Sequence, residues 1–196
     1  MSLEDGAAMG VGCPNSVKDL VDLFYESLYR YAYRLSGSGP DADDLTQETF
    51  CKAQTQFCQL RDRNRAKPWL FSILRNLYLH KVRAARSHMV LPLDAVPEPP
   101  ESLPDELPEI DSAQLQEALD ELPELFRTPL ILYFFEDFSY RDIAEQMNLP
   151  IGTVMSRLAR GKTFLRQKLM PELSDQSLGA NAKRDSGSTG RLTDGL

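Results

Sequence analysis

The chain has 196 residues, 42% of them hydrophobic, and a formal net charge of −7 at pH 7. This length allows one ordinary domain or two small ones, and the hydrophobic content is enough for their cores. No apolar run approaches the ~20 residues of a membrane span, and the N-terminus lacks the pattern of a secretion signal, so we expect a cytoplasmic protein. The three cysteines and two histidines lack metal-ligand spacing, which predicts no metal site and no cofactor. The cysteines are interpreted as free thiols or small buried apolar residues.

Charge is unevenly distributed along the chain. Residues 61–87 carry 8 basic and 1 acidic side chains, residues 127–170 carry 7 and 4, and residues 88–126 carry 11 acidic side chains and no basic one. Two basic islands separated by an acidic segment are typical of a protein with two surfaces that contact phosphate. The overall acidity therefore does not exclude a nucleic-acid binder.

Helical periodicity begins at Val17 and stops at the Ser-Gly-Ser-Gly sequence of residues 36–39. Pro40 opens a second helix that runs to about Phe57, with aspartates in its first turn, where carboxylates suit the positive end of the helix dipole. After a basic loop, Pro68 starts a third helix whose leucine, isoleucine and valine side chains face inward. The predicted outward positions of this helix are basic, at Arg75, Lys81 and Arg83.

Residues 88–111 contain six prolines and no lysine or arginine. This composition cannot bury a core, and it predicts a flexible, extended acidic linker. The N-terminal residues 1–16 and the polar tail at 171–196 are predicted to be disordered. Helical periodicity resumes at Ser112, and Pro123 opens a further helix through Phe135, with Pro129 expected to bend it.

Residues 139–169 predict two helices joined by a tight turn. Ser139 and Asp142 are expected to form a capping box at the first helix, and Asn148 supplies left-handed backbone at the turn. The small Ala144 lets the helices approach closely. The second helix has an apolar face, an opposite face of serine, arginine and lysine side chains, and no acidic residue from 151 to 170. These features predict an all-α protein with a DNA-binding helix-turn-helix.

Two small helical units, the first with DADDLTQETF and WLFSILRN and the second with PIGTVMSRL, closely resemble bacterial sigma factors of the extracytoplasmic-function (ECF) group, in the sigma-70 family. The resemblance covers about residues 20–170. It implies two helical domains, sigma region 2 at 17–87 and sigma region 4 at 112–170, joined by the acidic linker at 88–111. It also implies that the chain binds RNA polymerase core and directs promoter-specific transcription initiation. The linker is then either a spacer or a strip that threads into a positively charged channel of the polymerase.

The resemblance assigns roles to individual residues. In sigma factors the DLxQE stretch docks on the clamp helices of the largest polymerase subunit, which implies core binding by Asp41, Asp43, Asp44, Gln47 and Glu48. The loop before the third helix, and that helix itself, would read the opened minus-ten element and hold neighbouring phosphates. The residues implied are Arg61, Arg63, Asn64, Lys67, Arg75, Asn76, Lys81 and Arg83. Trp69 is interpreted as a core residue because it leads the inward apolar stripe.

The second helix of the helix-turn-helix would read the minus-thirty-five element. The resemblance implies that two sets of residues contact this element. The base-facing set is Met155, Ser156, Ala159 and Arg160, and the phosphate-facing set is Thr153, Arg157 and Lys162. Many relatives have a basic residue where this chain has Met155, so an apolar contact with a thymine methyl is expected in place of a guanine contact. Family members are commonly held inactive by an anti-sigma factor, and the resemblance implies such a partner here.

Two other functions fit parts of the sequence. A helix-turn-helix regulator would use its N-terminal helices for dimerisation or sensing, and co-purification with polymerase core would distinguish it from a sigma factor. An interaction adaptor that uses the first domain alone leaves the second basic island unexplained. The sequence has no phosphate-binding glycine loop, nucleophile motif or metal cluster, so no enzymatic activity is expected.

Overall fold

The computed structural model describes residues 16–85 and 111–170, and within these residues it contains helices and no strand. An N-terminal bundle is formed by α1 (Val17–Ser36), α2 (Gly39–Gln56) and α3 (Ala66–Ala85). A C-terminal bundle is formed by α4 (Ser112–Glu121), α5 (Glu124–Phe134), α6 (Tyr140–Met147) and α7 (Ile151–Leu169). The predicted disordered ends at 1–16 and 171–196 and the predicted linker at 88–111 lie almost entirely outside the described residues.

The ends of α1 and α2 follow from local sequence. Ser16 and Asp19 form a reciprocal capping box at the start of α1, and Gly37 ends that helix with a left-handed φ of 69°. A side chain at Gly37 would also meet the carboxylate of Asp120, at 2.7 Å. Ser38 caps α2, which has Pro40 in its first turn. The predicted boundaries of α1 are confirmed, and α2 begins and ends one residue before the predicted Pro40 and Phe57.

Two further predicted boundaries, in α3 and α5, differ by one or two residues. The third helix begins at Ala66, not at Pro68, because a proline in the first turn lacks only an N–H that has no partner within the helix. The fifth helix ends at Phe134 rather than Phe135 and has Pro129 in its interior. Between α2 and α3 the chain makes two short 3₁₀ turns, Phe57–Gln59 and Arg63–Arg65.

The helix-turn-helix consists of α6, α7 and the turn between them. The Ser139 hydroxyl accepts from the Asp142 N–H at 3.1 Å, which is the first bond of the predicted capping box. The Asp142 carboxylate accepts from the Ser139 hydroxyl and not from the Ser139 backbone N–H, so the reciprocal bond of the box is not formed. Asn148 has the predicted left-handed backbone, with φ of 53°. Ala144 is buried, and its carbonyl accepts from the Leu149 N–H at 2.9 Å. The turn is therefore built as the sequence predicts.

The two bundles pack directly against each other. Phe71 of α3 contacts Phe138, which lies between α5 and α6, with ring centroids 5.2 Å apart. Arg127 of α5 donates to the Leu35 carbonyl at the end of α1, at 2.9 Å. The buried apolar side chains of both bundles form one continuous cluster. This contact brings the loop before α3 next to the helix-turn-helix.

Candidate polymerase and nucleic-acid interface

The outer face of α2 is polar and acidic. Ala42, Leu45, Thr46, Thr49 and Ala53 turn inward and are buried, and the hydroxyls of both threonines bond to carbonyls one turn earlier. The five residues predicted to bind polymerase core are all exposed: Asp41, Asp43, Asp44, Gln47 and Glu48. Inward anchoring of one face thus leaves these side chains together on the other face.

The Glu48 Oε1 lies 3.9 Å from the Lys52 Nζ, one turn further along the surface of α2. Both side chains remain about half exposed, so this pair contributes little to stability and leaves the carboxylate available to a partner. The residues of this face were predicted from the resemblance of DADDLTQETF to sigma factors.

The predicted minus-ten residues are divided between two environments. Four of them are exposed on the loop or on α3: Arg61, Asn64, Asn76 and Arg83. The other four are half-buried: Arg63, Lys67, Arg75 and Lys81. Arg63 lies over the ring of Phe57, with its guanidinium carbon 3.8 Å from the ring centroid, which fixes the guanidinium at the start of the loop.

Lys67 is directed toward the C-terminal bundle. Its ammonium donates to the backbone carbonyl of Glu136 at 2.6 Å and lies 5.3 Å from the ring centroid of Phe138. Arg75 was predicted to face outward, and it is half-buried. Its Nε is buried and has no hydrogen-bond partner within the described residues.

Arg65 is a loop residue that the sequence reasoning did not single out. Its guanidinium donates to the Glu145 carboxylate at 2.8 Å and lies 3.7 Å from that of Asp142, both on α6. Nothing in the local sequence marks Arg65 among its arginine neighbours. Its partner is 80 residues away along the chain, so only the packing of the two bundles identifies the contact.

Arg65 and α6 also border a cavity of about 390 Å³ between the bundles. Trp69 and Pro68 form part of its wall, together with Arg61. Trp69 is half-buried and packs against the core, as its place in the apolar stripe predicts, while part of its ring faces this cavity.

The helix α7 presents the residues predicted to read the minus-thirty-five element. Val154, Leu158 and Gly161 are buried against the bundle, whereas Leu165 and Leu169 are half-buried. Met155 and Ser156 are exposed in the first turns, and the Ser156 hydroxyl donates to the Thr153 carbonyl at 3.0 Å. The remaining predicted contacts are half-buried: Thr153, Arg157, Ala159, Arg160 and Lys162.

Arg157 of α7 faces the junction between the bundles. Burial lowers the pKa of its guanidinium, the carboxylate of Glu124 opposes that shift, and the positive charge of Arg75 adds to it. A predicted minus-thirty-five residue and a predicted minus-ten residue are therefore close enough to repel each other. Each is partly removed from water in this arrangement.

Glu136 is a buried carboxyl at the same junction, with 2% of its surface exposed. Burial raises its pKa to about 7, and the positive charges of Lys67, Arg30 and Arg34 oppose this shift. Its Oε1 is buried and has no hydrogen-bond partner within residues 16–85 and 111–170. Protonated and ionised forms of this side chain are thus comparable near neutral pH.

The described part of the chain offers no group of three or more histidine, cysteine or acidic side chains that could hold a metal ion. Cys51 and Cys58 are free and exposed, which matches the predicted free thiols and not the buried alternative. None of the helices in residues 16–85 and 111–170 is both long and apolar enough to span a membrane.

Comparison with known proteins identifies the family. Residues 20–88 match the family described as Sigma-70 region 2, and residues 112–165 match Sigma-70, region 4. The chain is 36% identical over 170 residues to the ECF RNA polymerase sigma factor SigE of Mycolicibacterium smegmatis, covering 83% of this chain and 65% of that protein. It is 32% identical over 151 residues to the ECF RNA polymerase sigma factor EcfG of Rhodopseudomonas palustris, covering 77% of this chain and 83% of that protein.

A solved structure has the same fold. It is the sigma factor RpoE of Bartonella quintana in complex with the anti-sigma factor NepR, with a TM-score of 0.65 and 27% sequence identity, covering 79% of this chain and 97% of that one. Two helical bundles with an acidic α2 face and a helix-turn-helix define a protein of the sigma-70 family. The chain belongs to the ECF group of RNA polymerase sigma factors within that family.

Proposed function

We propose that this chain is a promoter-specificity subunit that binds RNA polymerase core and directs it to promoters with defined minus-ten and minus-thirty-five elements. The observation that carries the proposal is the presence in one chain of an exposed acidic α2 face and a basic helix-turn-helix. These lie in segments that match sigma regions 2 and 4 respectively. A simple helix-turn-helix regulator would use its N-terminal helices for dimerisation or sensing and needs no surface that docks on polymerase core.

The domain limits proposed from sequence, 17–87 for region 2 and 112–170 for region 4, assign one step of the function to each part. The α2 face would dock on the clamp helices of the largest polymerase subunit. The loop and the start of α3 would hold the opened minus-ten strand, where arginine, lysine and asparagine side chains can bond to phosphates and unpaired bases. The first turns of α7 would enter the major groove of the minus-thirty-five element.

We also propose that an anti-sigma factor binds this chain, since the structurally similar sigma factor was solved with such a partner. No chemical step is assigned to the chain itself, because its proposed work is recognition and positioning, and the reaction belongs to the polymerase. Its place of action is the cytoplasm, where polymerase and promoter DNA are found.

Replacing Gln47 and Glu48 together by alanine tests the docking surface. Both side chains are exposed, so the fold should survive while co-purification with polymerase core falls about ten-fold or more. The matched control is the pair Glu26→Ala and Gln54→Ala, because Glu26 is also an exposed carboxylate with an i+4 basic partner, Arg30 at 3.8 Å. Equal core binding by both double variants would move the docking surface elsewhere.

Run-off transcription with purified core polymerase and a promoter library tests the function as a whole. We expect transcripts only from promoters that share two short elements, and only when the chain is present. Sequence-specific DNA binding by the chain without any stimulation of core polymerase would instead support an ordinary helix-turn-helix regulator.

A further inference from the structure

The loop between α2 and α3 is anchored by contacts within its own sequence. Leu60 is buried and attaches the loop to the core. The Asp62 carboxylate accepts from the Asn64 N–H at 3.0 Å, and the Asp62 carbonyl accepts from the Arg65 N–H at 3.1 Å. These bonds close a short turn around Arg63. The backbone on both sides of Arg63 is therefore fixed by the loop itself.

Phe57, at the start of this loop, fixes the Arg63 side chain as well. The ring is half-buried and packs against the hydrophobic core, so its orientation is set by the bundle. The guanidinium carbon of Arg63 lies 3.8 Å from the centroid of this ring. At that distance the cation is attracted to the negative face of the ring. The ring thus determines where the guanidinium lies.

The contact with Phe57 leaves hydrogen-bond donors of Arg63 unused. Arg65, two residues further on, donates to the Glu145 carboxylate at 2.8 Å. In contrast, the Nη1 of Arg63 is buried and has no hydrogen-bond partner among the residues that the structure describes. The five N–H donors of a guanidinium lie in its plane, so a ring against one face occupies none of them. Arg63 is therefore held in place by a contact that does not compete with an acceptor.

The geometry favours a base edge over a phosphate as the acceptor. A phosphate attracts a cation from many directions, so a mobile lysine or arginine is sufficient for it. A base edge requires two donors at the correct positions and in the correct plane. Fixing the guanidinium matters most where the direction of the hydrogen bonds matters. An opened strand offers unpaired bases whose edges are accessible.

We propose that Phe57 is a positioning residue for promoter recognition: it holds the Arg63 guanidinium so that two of its N–H donors bond to one unpaired base of the minus-ten element. The inference rests on the proposed function, because it needs the loop to meet the opened strand. Phe57 acts through Arg63 and contacts no base. The base expected at that position has two adjacent acceptors, as guanine has at O6 and N7.

The variants Phe57→Leu and Arg63→Lys test this proposal in holoenzyme made from the full-length chain and polymerase core. The probes are fluorescent forms of a promoter selected by run-off transcription, with a single-stranded minus-ten element that carries each of the four bases at each position. Phe57→Leu keeps an apolar side chain, and Arg63→Lys keeps the charge. We expect both to lose roughly five-fold or more of the discrimination between bases, at the same single position. The slope of log affinity against log salt should not change, because no charge is removed.

Two further variants separate positioning from stability. Phe57→Tyr keeps a ring beneath the guanidinium and should keep the base discrimination. The double variant Phe57→Leu with Arg63→Lys should lose no more discrimination than either single variant, because both changes act on one pair of hydrogen bonds.

The matched control is Phe24→Leu. Phe24 is also a half-buried phenylalanine of the N-terminal bundle that packs against the core, and no cation lies over its ring within residues 16–85 and 111–170. This variant should leave the base preference unchanged, and urea unfolding compares its stability with that of Phe57→Leu. In the free chain, the ring current of Phe57 should shift the Arg63 side-chain proton resonances upfield, and Phe57→Leu should abolish this shift.

Several results would overturn the proposal. Equal weakening of all four bases by Arg63→Lys and Phe57→Leu would indicate a phosphate contact or a purely structural role. Unchanged discrimination in Phe57→Leu, or lost discrimination in Phe57→Tyr, would exclude positioning by the ring. If the unmodified holoenzyme had no base preference at any minus-ten position, the proposed function itself would fail. Base preferences that both single variants leave intact would contradict this inference alone.

Discussion

Met155 is the most exposed large apolar side chain of the described residues, at 52%. It lies in the first turns of α7, where a DNA-reading helix presents side chains to base edges. An unbranched thioether can contact a thymine methyl but cannot donate a hydrogen bond to guanine. At this position we infer a preference for thymine in the minus-thirty-five element.

Arg160→Ala and Lys162→Ala separate base reading from phosphate holding. Arg160→Ala should lose about 1–3 kcal/mol of binding free energy that discriminates the correct base at one position of the minus-thirty-five element. The reason is that a guanidinium can donate two hydrogen bonds to one base edge. Lys162→Ala should weaken binding to all promoter sequences alike and reduce the slope of log affinity against log salt by roughly one. Binding of holoenzyme to a set of single-base promoter variants at several salt concentrations measures both effects. Loss of the same base preference in both variants would contradict this division of roles.

At the scale of the helix, α7 contains two glycines in different surroundings. A Cβ at Gly161 would lie 2.9 Å from Leu130 Cδ1, in the buried contact between α7 and α5. A Cβ at Gly152 would meet no atom within 4 Å. A Cβ at Gly161 would push against the tip of the buried Leu130 side chain, whereas Gly152 is only a weak helix former.

Alanine at each glycine should therefore change stability in opposite directions. Gly161→Ala gains up to about 1 kcal/mol of helix propensity but overpacks a buried site, for a net loss of about 1 kcal/mol. Gly152→Ala should raise the free energy of unfolding by a few tenths to about 1 kcal/mol. Urea unfolding of the two variants beside the unmodified chain gives the free energies. A stabilised Gly161→Ala variant would show that Leu130 can move aside.

At the scale of the whole molecule, the junction between the bundles contains two buried ionisable groups with different partners. Arg127 has backbone carbonyls around its guanidinium, so its charge is satisfied. Glu136 has a buried Oε1 that no described residue satisfies. We therefore expect the free energy of unfolding to depend on pH through the Glu136 carboxyl.

Glu136→Gln should remove part of the pH dependence of folding. The folded pKa of about 7 lies above the ordinary value of 4.5, so the folded chain binds this proton more tightly than the unfolded chain. The contribution of this bound proton to the free energy of unfolding is complete below pH 4.5 and is lost as the pH rises through 7. Between about pH 5.5 and 8 the unmodified chain should lose about 1 kcal/mol more stability than the variant, after allowance for solvent screening.

Unfolding curves across this pH range provide the measurement. The control is Glu117→Gln, which removes an exposed carboxyl of α4 and should keep the pH dependence of the unmodified chain. Parallel curves for Glu136→Gln and the unmodified chain would mean that the Glu136 carboxyl stays ionised in the folded protein.

Local sequence determined the helices and the exposed chemistry of this protein. The cap at Ser139 and the left-handed Asn148 act over one or two helical turns, so their effects can be read from neighbouring residues. Gln47 and Glu48 were predicted from the resemblance of DADDLTQETF to sigma factors, and both side chains are exposed.

Only the tertiary structure decided how the two bundles meet. Arg65 and Glu145 are 80 residues apart, and Arg127 and Leu35 are 92 apart. No periodicity or cap relates such positions, and an arginine that pairs across a junction looks the same in sequence as one that faces solvent. The burial of Glu136, the partial burial of Arg75 and the pairing of Arg65 follow from long-range packing, because a side chain's partner and its exposure depend on what the rest of the chain places against it.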